Sequence, residues 1–109
     1  MPVSDEYLAF LRERLAFHGE VRTKKMFGGA MIYLAELPFA LVAGDTLYFR
    51  VGEPNRAAFD RAGADMFKPF VDRPMTMPYG EVPGEILEDD ELLREWAGRA
   101  IDAARAARK

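Results

Sequence analysis

The residues of this chain that could support catalysis are few and isolated. Cysteine is absent, His18 is the only histidine and Ser4 is the only serine. Ser4 lies outside any G-x-S-x-G elbow, so it is a poor candidate for an activated nucleophile. His18 falls in the last turn of a predicted helix, where an imidazolium can interact with exposed carbonyl groups, and we interpret it as a capping residue. We therefore expect no enzymatic activity, although two carboxylates brought together by folding would leave no signal in the sequence.

Two other patterns could bind ions. The pair Gly28-Gly29 is reminiscent of a phosphate-binding loop, but neither the G-x-x-x-x-G-K-[ST] spacing nor the G-x-G-x-x-G spacing is present. We favour a bulge in a strand over an anion-binding nest at this pair, and we expect Gly29 to hold either a bulged or a close-approach backbone. The acidic run 88–91 lacks the alternation of a calcium-binding loop, which favours helix capping. We expect neither a metal site nor a cofactor.

Aromatic and basic side chains are better candidates, for binding rather than catalysis. The candidate interaction residues are Tyr33, Tyr48, Arg50, Lys68 and Tyr79. Tyrosine and arginine are enriched at protein interfaces and on surfaces that stack nucleic-acid bases. In the alternative interpretation the rings are half-buried core and the charged side chains extend to water. The methionines at positions 26, 31, 66, 75 and 77 share this ambiguity, because a flexible thioether suits both adaptable surfaces and core gaps.

Length and composition limit the class of protein. The chain has 109 residues, half of them hydrophobic, which predicts a single domain over residues 1–109. Its start does not resemble a signal peptide, and no apolar run approaches the ~20 residues of a membrane span. The lack of cysteine fits a reducing compartment. We therefore expect a cytoplasmic protein without membrane association.

The net charge of −3 argues against general attraction to nucleic acid, which depends on basic residues that neutralise phosphates. The charge is unevenly distributed, however. Arg22, Lys24 and Lys25 form a local basic segment, while acidic residues are concentrated between positions 81 and 95. The basic segment is the candidate nucleic-acid contact.

Hydrophobic periodicity predicts the element order α-β-β-β-α-β-β-α. The first helix follows the N-cap Ser4 and ends at Gly19, a second lies between Pro54 and Gly63, and the last begins after Asp89 or Asp90. Strands are predicted over residues 24–34, 39–43, 46–51, 66–71 and 75–79. Short turns between strands indicate an antiparallel sheet with helices on one face, an α+β two-layer sandwich.

Alternation within the strand 46–51 assigns its side chains to two faces. Leu47, Phe49 and Val51 point towards the helices, and Tyr48 and Arg50 point towards the less covered face. The apolar stripe of the last helix consists of Leu92, Leu93, Trp96, Ala100, Ile101 and Ala104. It predicts that Trp96 is buried between that helix and the sheet.

The order of several short segments resembles the N-terminal domain of the TfoX/Sxy family of bacterial competence regulators. The segments are 25–29 (KMFGG), 39–42 (FALV), 47–51 (LYFRV), 77–79 (MPY), 82–83 (VP) and 96–97 (WA). The resemblance covers roughly the whole chain and lies in the ordered series rather than in any one segment. It implies an α/β sandwich similar to that of secretion chaperones, and a regulatory role without established catalytic residues.

Together these observations predict a non-enzymatic regulatory and interaction domain. We expect it to act through a protein partner or through self-association as a homodimer. The alternative is a nucleic-acid-associated regulator that binds through Arg22, Lys24, Lys25 and Arg50. A salt-dependent shift of DNA would favour the alternative.

Overall fold

The computed structural model describes residues 3–26, 28–69 and 74–108. These residues form a five-stranded antiparallel sheet with helices packed on one face, which confirms the predicted α+β sandwich. The strands are β1 (Val21–Met26), β2 (Gly29–Leu34), β3 (Leu37–Ala43), β4 (Thr46–Arg50) and β5 (Tyr79–Glu81), and they lie side by side in chain order. The helices are α1 (Asp5–Arg14), α2 (Arg56–Ala62), α3 (Gly84–Leu87) and α4 (Asp90–Ala107).

The element order differs from the predicted one in three regions, one of which is the short helix α3, which was not predicted. The single strand predicted over residues 24–34 is a hairpin of β1 and β2, because Gly28 reverses the chain with a φ of +76°. The two strands predicted over residues 66–71 and 75–79 are reduced to β5 and an isolated bridge between Met66 and Gly80, and residues 70–71 lie outside the described residues. Pro69 and Pro78 lack the N–H group that a ladder needs, which is consistent with this reduction.

The glycine pair at 28–29 is not a bulge, contrary to the prediction. Gly29 has ordinary strand geometry but a close neighbour, since a β-carbon there would lie 2.1 Å from the backbone oxygen of Val42. The bulge lies instead where β2 pairs with β3, at the shift between Ile32 and Tyr33. At this bulge Phe39 is the extra residue of β3. Phe39 and Ala40 are both fully buried in the core.

The first helix begins as predicted and ends earlier. Ser4 Oγ accepts a hydrogen bond from the backbone N–H of Tyr7 at 3.1 Å, the geometry of an N-cap. The α-helix ends at Arg14, and a 3₁₀ turn (Ala16–His18) leads to Gly19, whose φ of +132° favours glycine but is not the predicted left-handed cap. His18 also has a different partner from the predicted one. Its Nε2 donates to the backbone oxygen of Arg94 on α4, at 3.0 Å, so it links two elements and does not cap its own helix.

The core lies between the sheet and the helices α1 and α4. The face of α4 towards the sheet consists of Leu93, Ala97, Ala100, Ile101 and Ala104, all buried. Through this face α4 packs against β3 and β4. Two predicted members of the stripe differ: Leu92 is exposed, and Trp96 is half-buried on the flank of α4.

Trp96 does not lie between α4 and the sheet. Its ring packs edge to face on Phe59 of α2, with ring centroids 4.8 Å apart. Gly63 ends α2, as predicted, and has the left-handed conformation. Within the described ranges no helix has both the length and the apolar character needed to cross a membrane.

Asn55, just before α2, is a buried polar residue that the sequence analysis did not single out. Its Oδ1 accepts from the backbone N–H of Gly52 at 2.8 Å, and its Nδ2 donates to the backbone oxygen of Arg50 at 2.7 Å. The amide therefore ties the end of β4 to the start of α2.

Candidate interaction surface

The face of the sheet opposite the helices, which we call the outer face, carries most of the predicted site residues. Strand register places on it Arg22, Lys24, Met26, Met31, Tyr33, Leu41, Tyr48, Arg50, Tyr79 and Glu81. Two predicted residues lie elsewhere. Lys25 pairs in register with Ala30 on the helix-facing side and forms an ion pair with Asp5 of α1, while Lys68 is exposed on the segment between α2 and β5.

The ion pair of Lys25 affects the titration of Asp5. The hydrogen bond and the positive charge of the lysine hold the pKa of Asp5 below its usual value of 3.8. Lys25 is therefore engaged with α1, and it does not belong to the surface that Arg22 and Lys24 form.

Two arginine–tyrosine pairs lie on the outer face. Arg22 is the register partner of Tyr33, and its guanidinium carbon lies 5.0 Å from the ring centroid. Arg50 is the register partner of Tyr79 in the same way, at 5.7 Å. Both distances are within the range of cation–π attraction. Each arginine is thus held over a ring of the neighbouring strand.

The second of these pairs is largely enclosed. Tyr79 is 3% exposed, and its burial raises the pKa of the hydroxyl above the ordinary 10.0, an effect that the Arg50 guanidinium partly offsets. The Nε of Arg50 is buried and has no hydrogen-bond partner among the described residues. Arg50 and Tyr79 are therefore part of the packed structure rather than a freely accessible contact surface.

Residues 64–69 and 74–78, which we call the covering segment, lie against this part of the sheet. The N–H of Phe67 donates to the oxygen of Tyr79 at 2.8 Å, and the N–H of Met77 donates to the oxygen of Phe67 at 2.9 Å. The Phe67 ring also packs on the ring of Tyr48. Leu41 is 5% exposed although it lies outside the core cluster, which shows that the outer face is partly covered.

Tyr48 and Arg50 do lie on the less covered face, as predicted, because Leu47 and Phe49 on the other face are buried, but neither is freely exposed. Both side chains are half-buried. Burial raises the pKa of the Tyr48 hydroxyl, and the carboxylates of Glu81 and Asp65 act in the same direction. The more accessible part of the outer face is on β1, where Arg22, Lys24 and Met26 are exposed.

An apolar groove of about 210 Å³ lies between the covering segment and the strands β1 to β3. The side chains that line it, which define what we call the methionine groove, are Met26, Met31, Leu41, Phe67, Pro69 and Met77. Gly29 and Ala43 are register partners at the base of the groove. Because neither has a bulky side chain, the groove is not filled at this point. Methionine side chains are flexible and adapt to different apolar shapes, so this lining suits a binding surface.

The charge around the groove is polarised. The strands β1 and β2 contain no acidic residue, and Lys24 is the register partner of the groove residue Met31. Carboxylates of the outer face lie on the opposite side, where Glu81 and Asp65 are close to Tyr48. The groove therefore has a basic rim along β1.

The accessible side chains of this surface are apolar and basic. Within the described part of the chain no cluster of three or more His, Cys, Asp or Glu residues could hold a metal ion. The groove is lined by apolar side chains and has cations at one rim, which is the composition of a surface that binds a macromolecule.

Comparison with known proteins identifies a family that the chain matches. The sequence model of a family described as the TfoX N-terminal domain matches residues 13–104. The match includes the five described strands and most of α4, and hence the outer face. That family is not a known enzyme family. No curated protein matches the chain.

Proposed function

The chain belongs to the TfoX N-terminal domain family, and from this premise we propose that it is a non-enzymatic, cytoplasmic regulator that acts by binding a protein partner. The partner binds to the accessible part of the outer face, formed by β1 and the methionine groove. The resemblance to competence regulators supports the regulatory part of this proposal, and the surface supports the binding part.

The methionine groove is the observation that carries the proposal. Met26 is 36% exposed at the end of an edge strand, beside a groove whose other walls are apolar. Apolar surface that stays accessible to water costs free energy, which a bound partner recovers by burying it. A partner seated here would cover Met26 and Met31 together with the basic rim.

Nucleic-acid binding is the alternative, and Arg22 and Lys24 are the residues that support it. The other two residues predicted to contact nucleic acid are Lys25 and Arg50. Lys25 is paired with Asp5, and Arg50 lies half-buried against Tyr79. Two exposed cations on a chain of net charge −3 provide little of the phosphate neutralisation on which nucleic-acid affinity depends. The protein partner is therefore the favoured ligand.

Photo-crosslinking in the cells that naturally make the protein tests the proposal. A photoreactive amino acid at position 26 should give discrete protein adducts, because Met26 lies at the mouth of the groove. The same amino acid at Ala57, which is exposed on α2 away from the sheet, is the matched control. Adducts that contain only a second copy of this chain would assign the face to self-association.

Two results would overturn the proposal. The first is the absence of any protein adduct specific to position 26 when the protein is folded and expressed. The second is recovery of nucleic acid as the only adduct, which would favour the alternative.

A further inference from the structure

We infer that the partner presents to this domain an extended acidic segment that carries one large apolar side chain. Its carboxylates bind Arg22 and Lys24, and its apolar side chain enters the methionine groove. The inference rests on the proposed function and adds the chemistry of the ligand.

The size and lining of the groove determine the apolar part of the ligand. Its volume of about 210 Å³ exceeds the ~150 Å³ of an apolar cavity that can hold benzene. A leucine, methionine or phenylalanine side chain therefore fits, and three methionines in the lining can adjust to its shape.

The basic rim determines the charged part. Arg22 and Lys24 are exposed, and among the described residues neither forms an ion pair. Arg22 is also positioned in advance, because it lies over the Tyr33 ring and its guanidinium donates to the backbone oxygen of Ala35 at 3.4 Å. Lys25 shows the contrast, since it already has an acidic partner in Asp5. Unpaired cations beside an apolar groove complement a ligand that has both carboxylates and an apolar residue.

The geometry of β1 determines the spacing. Arg22, Lys24 and Met26 occupy alternate positions on one face of an edge strand, so neighbours in this series are about 6.7 Å apart. An extended peptide beside β1 has the same repeat. Its matching pattern is two acidic residues at alternate positions, with the apolar residue at the next alternate position on the Met26 side.

A second copy of this chain fits the surface less well. Pairing of two β1 strands would bring the Arg22 and Lys24 side chains of both copies together, and like charges across a strand pair are destabilising. The strand has no acidic residue to offset them. An acidic segment of a different protein has no such conflict.

Selection from a random peptide library displayed on phage tests the chemistry directly, with the purified full chain as bait. We expect the selected peptides to be enriched in Asp and Glu at alternate positions next to Leu, Ile, Met or Phe. Selected peptides that are neutral or basic, or a failure to select any sequence pattern, would overturn the inference.

A selected peptide, labelled with fluorescein, then locates the site by anisotropy titration. The double change Arg22→Glu and Lys24→Glu should weaken its binding by about tenfold or more, because attraction becomes repulsion at both contacts. The double change Arg56→Glu and Arg61→Glu, at two exposed arginines of α2, is the charge-matched control and should leave affinity unchanged. Met26→Ala should also weaken binding, whereas Met75→Ala, at another exposed methionine outside the groove lining, should not. Equal effects of the test and control changes would overturn the inference.

The outcomes separate this inference from the proposed function. Protein adducts at position 26 combined with basic or neutral selected peptides would leave the proposed function standing and refute the acidic ligand. Tighter binding of a labelled DNA duplex than of any selected peptide would overturn both. The free chain could also sediment as a dimer that the double change Arg22→Glu and Lys24→Glu dissociates. That result would show that the ligand of this surface is a second copy of the chain and not an acidic segment of another protein.

Discussion

The rings of Tyr48 and Phe67 pack edge to face on the outer face of the sheet, with centroids 5.1 Å apart. Tyr48 belongs to β4, whereas Phe67 belongs to the covering segment and lines the methionine groove. Tyr48 is also the register partner of Leu41, which lines the same groove. This contact therefore helps to hold one wall of the proposed binding surface in place.

The energy of this contact can be isolated by a double-mutant cycle. Tyr48→Ala and Phe67→Ala should each lower the free energy of unfolding, and the double variant should lose less than the sum of the two. We expect a coupling energy of about 0.5 to 1.5 kcal/mol, as for other aromatic pairs, measured by denaturant unfolding. Strictly additive losses would show that the rings do not stabilise each other.

Gly29 should tolerate no side chain, because its backbone lies close to that of the neighbouring strand. Its φ is unexceptional, but a β-carbon would collide with the backbone oxygen of Val42, and backbone cannot move aside cheaply. Gly29→Ala should therefore lower the free energy of unfolding by about 1 to 3 kcal/mol. Gly84→Ala is the control, since a β-carbon at Gly84 meets nothing within 4 Å. Equal stability of the two variants would contradict the close approach.

Trp96→Ala should cost less than truncation of a fully buried ring. Trp96 is half-buried, whereas its partner Phe59 is 3% exposed. Phe59→Ala should show the ~3 to 5 kcal/mol loss typical of core aromatic residues, and Trp96→Ala a smaller loss in the same denaturation assay. The reverse order would place the indole, not the phenyl ring, at the centre of the core.

Asn55 should stabilise the junction between β4 and α2 through its two backbone hydrogen bonds. Asn55→Ala leaves the N–H of Gly52 and the oxygen of Arg50 without this partner and should cost about 1 to 3 kcal/mol. Asn55→Asp keeps the acceptor but buries a carboxylate, so this variant should be more stable at acid pH than at neutral pH. A neutral effect of Asn55→Ala on thermal unfolding would argue against the role.

Tyr79 should make the protein less stable in alkali. Its folded-state pKa is raised above 10.0 by burial, so the unfolded chain releases the hydroxyl proton at lower pH than the folded chain does. The contribution of the protonated Tyr79 hydroxyl to the free energy of unfolding is fully present below pH 10.0. It is lost as the pH rises towards the folded-state pKa. Tyr79→Phe should therefore lose less stability than the parent chain between neutral and alkaline pH, as followed by urea unfolding. Tyr48, whose pKa is raised as well, contributes in the same direction. Parallel pH profiles of parent and variant would refute the assignment.

The sequence by itself determined the features that depend on near neighbours in the chain. The cap at Ser4 and the alternation within β4 follow from backbone hydrogen bonding and side-chain periodicity over a few residues. Alternation also placed Tyr48 and Arg50 on the same face, and the ordered segments indicated the family. Lys25 was grouped with Lys24 only because the two are adjacent, although adjacent strand residues point to opposite faces.

Only the tertiary structure decided what covers each face. The methionine groove combines Met26 and Met31 with Phe67 and Met77, which the covering segment brings back over the sheet. Trp96 meets Phe59, and His18 meets the backbone of Arg94, through contacts of the same long-range kind. Such contacts depend on how whole helices and strands pack against each other. The residues next to a side chain in the sequence do not indicate which distant residues will contact it.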